Sequence, residues 1–258
     1  MIVMLPIIFL FSIVNPWKVE LTEKVKVPVS QEEILEIRTF GNYTYFLCRD
    51  KILREGNGIV QFGTFGMESG ELAEPVSIDI ETGWLYILDY GSRNIKIFDR
   101  DGNYIDEREI ETEEPIAIAV SNERIFILDP LRYKIDVYGE ESLLYSFGNF
   151  GKGPGFINNP VDIDVALGKV YILEKDRISV FSEYGDFINM NEVKGGKNIS
   201  ADKYVSVSTD STTLLFDQNL EKIECFERGV SATEGNNLFI FKDSTLWKHE
   251  IEKGIGRR

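Results

Sequence analysis

The sequence predicts an all-β fold, a six-bladed β-propeller of four-stranded antiparallel blades. Three observations carry this prediction: a unit of about 40 residues recurs along the chain, each copy contains short apolar strands between tight turns, and helical periodicity is almost absent. The chain has 258 residues, of which 43% are hydrophobic, and this is enough to build a core around such a ring.

The repeat is clearest in residues 74–101, EPVSIDIETGWLYILDYGSRNIKIFDRD, and it returns from residue 114 and from residue 159. In each copy a proline opens a strand, a second apolar strand ends in Asp or Glu, and an arginine-containing turn leads to a third strand. The aromatic residues that mark the second strand number six: Tyr45, Tyr86, Phe126, Tyr171, Tyr204 and Phe239. Their spacing of 33 to 45 residues fits one four-stranded blade each.

The sixth repeat lacks one strand, which the start of the chain can supply. The last repeat offers three strands, at 230–232, 238–241 and 245–251. Residues 18–27, KVELTEKVKV, alternate apolar and charged side chains as an outermost strand does. We predict that this segment joins the last blade and closes the ring, so that residues 18–258 form one propeller domain.

The first residues carry an uncharged run, IVMLPIIFLFSIV, at positions 2–14. A secretory core needs roughly 7–15 apolar residues and a spanning helix about 20, so we predict a signal peptide over residues 1–17 and no stable transmembrane anchor. The protein is then exported to a periplasm, a cell envelope or the extracellular space. The alternative is an apolar segment of the folded body, because no Lys or Arg precedes the run and no cleavage triplet of small residues follows it.

Charge and residue counts exclude several classes of function. The 43 acidic and 28 basic residues give a net charge of −15, which repels phosphate backbones, so nucleic acid is not an expected partner. One histidine, His249, excludes a site built from several imidazoles. Cys48 and Cys225 fall in different repeats, and we expect two small buried residues rather than a disulfide.

Acidic residues end the second strand of three repeats, and an arginine follows each within three or four residues. The pairs are Asp89 with Arg93, Asp129 with Arg132, and Glu174 with Arg177. The first interpretation is a local ion pair that holds each turn, and the second is a charged mouth that binds a ligand, because these turns share one face of a propeller.

Aromatic residues accompany these arginines, and arginine beside Tyr or Phe is the composition of interaction hot spots. If this face binds a partner, the residues that we expect to contact it are Arg49, Arg93, Arg132, Arg177, Tyr90 and Tyr133.

Residues 61–105 resemble an NHL-repeat unit. The markers are the lead-in QFGTFGMESGELAEP, the paired strands, the Asp-to-Arg turn and the ending FDRDG, and residues 146–185 repeat them in large part. The resemblance implies a six-bladed propeller, in agreement with the spacing, and a family that includes binding proteins, lyases and hydrolases.

Among those activities, the residues of this chain favour binding. A lyase for amidated-peptide precursors would need several metal-binding histidines. A calcium-dependent, lactonase-like hydrolase needs oxygen ligands that converge in the channel, and Asp79, Asp162 and Asp164 are the candidates, but alanines at 117 and 119 take the equivalent places of the third repeat. We predict a monomeric, non-catalytic propeller without a cofactor that binds a protein or small molecule, the alternative being the calcium-dependent hydrolase or a lyase with its site in the channel.

Overall fold

The structure is a computed structural model that describes residues 16–30, 33–140 and 142–253. The strands of these residues form six four-stranded antiparallel sheets, which confirms the predicted fold class. The sheets follow one another around a closed ring, because the innermost strand of each contacts the innermost strand of the next and the last contacts the first. We name the strands of every blade A to D, from the central channel to the rim.

Blades 1 to 3 take their strands in chain order. Blade 1 contains β2 (Ile34–Phe40), β3 (Tyr43–Cys48), β4 (Ile52–Glu55) and β5 (Val60–Phe62). Blade 2 contains β6 (Pro75–Glu81), β7 (Trp84–Asp89), β8 (Asn94–Asp99) and β9 (Tyr104–Glu109). Blade 3 contains β10 (Ala117–Ser121), β11 (Arg124–Asp129), β12 (Lys134–Tyr138) and β13 (Leu143–Phe147).

Blades 4 and 5 follow the same plan, and blade 6 takes its outermost strand from the start of the chain. Blade 4 contains β14 (Pro160–Ala166), β15 (Lys169–Glu174), β16 (Arg177–Ser182) and β17 (Phe187–Glu192). Blade 5 contains β18 (Gly196–Ala201), β19 (Val205–Thr209), β20 (Thr212–Phe216) and β21 (Lys222–Glu227). Blade 6 contains β22 (Val230–Glu234), β23 (Asn237–Lys242), β24 (Thr245–Lys253) and β1 (Trp17–Lys26).

The ring closes as the sequence predicts, through antiparallel pairing of β1 with β24. The pairing runs from Trp17 opposite Lys253 to Lys26 opposite Thr245. The strand therefore begins one residue before the predicted segment, and the Trp17 ring lies edge-on against Tyr204 of blade 5, with 5.7 Å between the ring centroids. The predicted signal peptide falls almost entirely on residues 1–15, outside the described residues, and it stays a prediction. Within the described ranges, no helix is long and apolar enough to cross a membrane.

Polar side chains join several of the innermost strands to the next. Strand A is the edge of its own sheet, so its channel-side N–H groups have no strand partner and need other acceptors. Glu36 Oε2 accepts from the N–H of Ile78 at 2.9 Å, and Asp79 Oδ2 accepts from the N–H of Val120 at 2.6 Å. Ser200 Oγ does the same for Thr233 at 3.1 Å. The apolar B and C strands pack between blades, while these acceptors satisfy the channel wall.

Two long loops, 63–74 and 148–159, connect one blade to the next and carry the glycines of the NHL-like lead-in. Gly70 and Gly155 both have φ of +79°, a conformation that favours glycine. Each loop contains one parallel β-bridge, Phe65 with Leu72 and Phe150 with Ile157. The two loops are therefore structural copies of each other.

Candidate functional site

The ring has two faces. The turns between strands B and C and the long connections between blades lie on one side, the BC face. The turns between strands A and B lie on the opposite side, the AB face. All six predicted contact residues lie on the BC face, because each belongs to a B–C turn or borders it.

Two of the three predicted ion pairs form. Arg132 Nε lies 2.7 Å from Asp129 Oδ2, and Arg177 Nε lies 2.8 Å from Glu174 Oε1. Asp89 instead accepts hydrogen bonds from Ser92 Oγ at 2.8 Å and from the N–H groups of residues 73 and 74. The carboxylates are fully buried and hold the turns and connecting loops, so the first interpretation of these residues is confirmed at blades 3 and 4.

Arg177 also positions the 148–159 loop. Its Nη1 donates to the carbonyl of Lys152 at 2.6 Å, and its Nη2 donates to the carbonyl of Phe156 at 2.9 Å. The guanidinium is mostly buried beneath the loop, so it holds the loop in place.

The loop presents an apolar surface together with the B–C turn of blade 3. The rings of Tyr133 and Phe150 lie 4.7 Å apart between centroids. Leu131 is 64% exposed, Phe150 61% and Phe156 45%. We call Leu131, Tyr133, Phe150 and Phe156 the blade 3–4 patch.

The other predicted contact residues lie elsewhere on the BC face. Tyr90 and Arg93 border a pocket of about 340 Å³ between blades 2 and 3, and the Tyr90 hydroxyl donates to Glu114 Oε2 at 3.1 Å. Arg93 and Arg49 are exposed, the latter in the B–C turn of blade 1. Arg132, Tyr133 and Arg177 thus belong to the adjacent blades 3 and 4, while the remaining three residues belong to blades 1 and 2.

The channel contains a cluster of charges around Arg38. Its Nη2 lies 2.6 Å from Glu36 Oε1, its Nε lies 3.2 Å from Asp79 Oδ1, and its Nη2 lies 3.7 Å from Asp164 Oδ2. Blades 1 and 4 are opposite in a ring of six, so the guanidinium reaches across the channel. The expectation that the inner-strand carboxylates do not converge is therefore wrong: alanines interrupt the series in blade 3, but an arginine from blade 1 gathers the others.

Burial raises the pKa of all four channel carboxylates, Glu36, Asp79, Asp162 and Asp164, above the ordinary range of carboxyl groups. The positive charge of Arg38 opposes this rise, and the pKa of Asp164 is about 7. One guanidinium cannot balance four buried carboxylates, so the cluster holds protons that exposed carboxyls would release.

This protonation predicts a pH dependence of stability. The native state binds protons that the unfolded chain releases, because the pKa of Asp164 in the folded protein lies above its ordinary value of 3.8. The free energy of unfolding should therefore fall as pH rises from about 4 to about 7. Asp164 faces Arg38 and Asp79 across the channel and Tyr171 on its neighbouring strand. Asp164→Asn should reduce the slope by up to about 1.4 kcal/mol per pH unit in urea unfolding series.

The matched control for this series is Asp210→Asn, an exposed carboxyl whose pKa an ion pair with Lys197 lowers. This control should not flatten the pH profile. Parallel curves of unfolding free energy against pH for the wild type and Asp164→Asn would contradict the prediction that Asp164 holds a proton in the folded protein.

The described residues contain no group of three or more His, Cys, Asp or Glu side chains arranged to hold a metal ion. Cys48 is buried as expected. Cys225 is exposed, so the prediction of burial is wrong there, because this residue lies on the outermost strand of blade 5 and strand D has no neighbouring strand on its outer side.

Glu36 and Arg38 are functional candidates that the repeat pattern did not single out. They occupy the places of Ser77 and Asp79 on the neighbouring inner strand, as their pairing with the second strand shows. A comparison of inner-strand positions across all six repeats, including the degenerate first one, could have found them.

Comparisons with known proteins agree on the fold. No family model and no curated protein matches the chain, so the NHL resemblance stays a prediction. Among solved structures, a presumed exported protein from Bacteroides fragilis NCTC 9343 is similar with a TM-score of 0.63 and 9% identity, over 92% of this chain and 96% of that one. A streptogramin B lyase is similar with a TM-score of 0.57 and 10% identity, over 94% of this chain and 88% of that one.

A chain of a mitotic checkpoint complex is also similar, with a TM-score of 0.59 and 8% identity, over 90% of this chain and 91% of that one. The names of these three proteins share no common task, and identities of 8–10% establish a common fold alone. The chain is an all-β, six-bladed propeller.

Proposed function

We propose that this chain is an exported, NHL-like binding propeller that docks a protein partner through the blade 3–4 patch and has no catalytic role. The observation that carries the proposal is the exposure of Leu131 and Phe150 beside Tyr133 on one face of the ring. Contiguous exposed apolar side chains cost free energy in water, and on soluble proteins they commonly mark interaction sites.

The patch has the organisation of a hot spot. Two of its aromatic side chains, Phe150 and Phe156, sit on a loop that Arg177 fixes through two backbone carbonyls, so little conformational entropy is lost when a partner packs against them. A rigid aromatic anchor surrounded by polar groups is the typical centre of a protein interface.

The surrounding charges indicate the chemistry of the partner. Arg132, Lys134 and Lys152 adjoin the patch, in a chain whose net charge is −15. Lys134 Nζ donates to Asn149 Oδ1 of the same loop at 3.3 Å, and Lys152 is exposed. A segment with one large apolar side chain flanked by carboxylates would complement both properties.

Export and the NHL resemblance support a binding role. The uncharged run at positions 2–14 has the length of a secretory core, and the lead-in markers of residues 61–105 return in the very loop that forms the patch. Repeat proteins of this kind present extended surfaces that are suited to recognition.

Selection from a random peptide display library tests the proposal. Peptides selected on the wild-type protein should share an aromatic or aliphatic residue beside Asp or Glu. Leu131→Ser with Phe150→Ser should weaken their binding by about tenfold or more, about 1.4 kcal/mol, as measured by fluorescence anisotropy.

Phe65→Ser is the matched control, because Phe65 is the structural copy of Phe150 in the other loop and is 72% exposed. It should leave peptide affinity unchanged. Equal binding of the selected peptides to the patch variant and to the wild type would overturn the proposal.

A further inference from the structure

The BC face carries a second exposed apolar surface besides the blade 3–4 patch. Phe65 and Met67, in the 63–74 loop, are 72% and 69% exposed. This loop connects blade 1 to blade 2, so it lies two blades, or a third of the ring, away from the 148–159 loop. The two apolar surfaces therefore lie well apart on one face of the chain.

The two loops have the same backbone structure. The N–H of Gly66 donates to the carbonyl of Leu72 at 3.1 Å, and the N–H of Gly151 donates to the carbonyl of Ile157 at 3.1 Å. An exposed phenylalanine stands immediately before each of these glycines. Because the same loop recurs on a regular ring, the two phenylalanines project from the BC face in the same way.

The two loops differ in charge. The 63–74 loop contains three glutamates and no Lys or Arg, whereas the 148–159 loop contains Lys152 and no Asp or Glu. Arg132 and Lys134 adjoin the second loop and add to its positive charge. The face therefore presents one apolar surface flanked by carboxylates and one flanked by cations, and these two surfaces are complementary.

The carboxylates of the 63–74 loop are available to a partner. Glu68 and Glu74 are exposed, while Glu71 Oε2 accepts a hydrogen bond from the N–H of Glu68 at 2.9 Å and holds the loop. The B–C turn of blade 1, residues 49–51, adds two cations and one carboxylate. Carboxylates thus still outnumber cations in this region.

We propose that the BC face binds a second copy of this chain, with the 63–74 loop of each copy on the blade 3–4 patch of the other. This pairing rests on the proposed function and identifies the partner of the patch. The patch suits a large apolar side chain flanked by carboxylates, and Phe65 beside the glutamates of its loop has that composition. The pairing departs from the monomer that the sequence predicts, because the two surfaces match only when a second copy faces the first.

A single two-fold axis satisfies both contacts. The axis lies between the two facing BC faces and passes midway between the loops, above the boundary of blades 2 and 3. Rotation about this axis exchanges the positions of the two loops, so each loop meets the patch of the other copy. Symmetric dimers use such self-complementary surfaces. Once the first contact has formed, the second forms within the pair, and two small contacts together hold the dimer.

Sedimentation velocity of the full chain over a concentration series tests the pairing. The wild type should form a reversible dimer. The loop variant Phe65→Ser with Met67→Ser should raise the Kd of the dimer by about tenfold or more, and so should the patch variant Leu131→Ser with Phe150→Ser. Each substitution replaces an exposed side chain, so both variants should fold.

A mixture of the loop variant and the patch variant should associate more tightly than either variant alone. In the mixed pair, one intact loop meets one intact patch, whereas in each variant alone every contact lacks one of its two surfaces. A mixture that associates no more tightly than its components would overturn the proposal, because it would indicate that like surfaces meet.

Glu68→Lys tests the charges and should weaken the dimer by about threefold. Addition of Lys152→Glu should restore part of this loss, because the two substitutions exchange the charges of the two surfaces. Asp106→Lys is the matched control: it makes the same change in net charge on β9, the outermost strand of blade 2, and should change the Kd of the dimer by less than about twofold. Equal losses in Glu68→Lys and Asp106→Lys would contradict the pairing.

A wild-type chain that stays monomeric up to about 100 μM would overturn the pairing, and so would a dimer that the loop variant leaves unchanged. In dilute protein the loop variant should still bind the peptides selected on the patch. Peptide binding without dimers would therefore overturn the pairing alone, whereas loss of peptide binding counts against the proposed function.

Discussion

Arg38→Met should lower the free energy of unfolding at pH 8 by about 3–5 kcal/mol, because it removes the only cation within 4 Å of Glu36, Asp79 and Asp164 among the described residues. Breaking one side of a buried ion pair leaves an uncompensated charge that water cannot reach. Urea unfolding monitored by tryptophan fluorescence measures the loss. At pH 5 the loss should be smaller, since the carboxyls whose pKa burial raises become neutral.

Arg93→Met is the matched control for this prediction, because Arg93 is an exposed arginine of the BC face. Exposed substitutions usually change stability by less than about 0.5 kcal/mol. Addition of Glu36→Gln to Arg38→Met should restore part of the loss by removing one unpaired charge. Equal stability of the Arg38 and Arg93 variants at pH 8 would contradict the prediction that Arg38 stabilises the buried carboxylates of the channel.

Removal of β1 should cost about 5 kcal/mol or more, comparable with the whole stability of many domains. A chain that starts at Val27 loses the strand that pairs with the full length of β24 and leaves Leu246 and Ile251 near an open edge. Closure joins the two ends of the ring, so its loss also makes blade 6 incomplete. Far-ultraviolet circular dichroism and urea unfolding should show a chain that is partly unfolded or much less stable.

The matched control is a chain that starts at Pro16, which keeps β1 whole and should fold like the full chain. A milder variant, Val19→Asp, places a charge opposite the buried Ile251 and should cost about 2 kcal/mol, while Lys18→Gln on the exposed side of β1 should cost almost nothing. An unchanged unfolding midpoint without β1 would show that closure by this strand is dispensable.

The sequence by itself determined the blades, their number and the strand that closes the ring. These features follow from local periodicity: alternation within residues 18–27 marks an edge strand, and a recurring aromatic marks each B strand whatever lies beside it. The pairs Asp129 with Arg132 and Glu174 with Arg177 were predictable for the same reason, because three residues across a turn bring the two side chains together without help from the rest of the fold.

The tertiary structure alone decided which distant residues face each other. In the sequence of its own repeat, Glu36 is the acidic residue nearest to Arg38. The closed ring then places Asp79 and Asp164, from other blades, around the same guanidinium. Tyr133 and Phe150 likewise meet because blade 3 and the connection to blade 4 share one face. A repeat pattern specifies the orientation of a side chain within its blade, whereas the partner across the channel depends on ring closure and blade order, which bring together residues far apart in the chain.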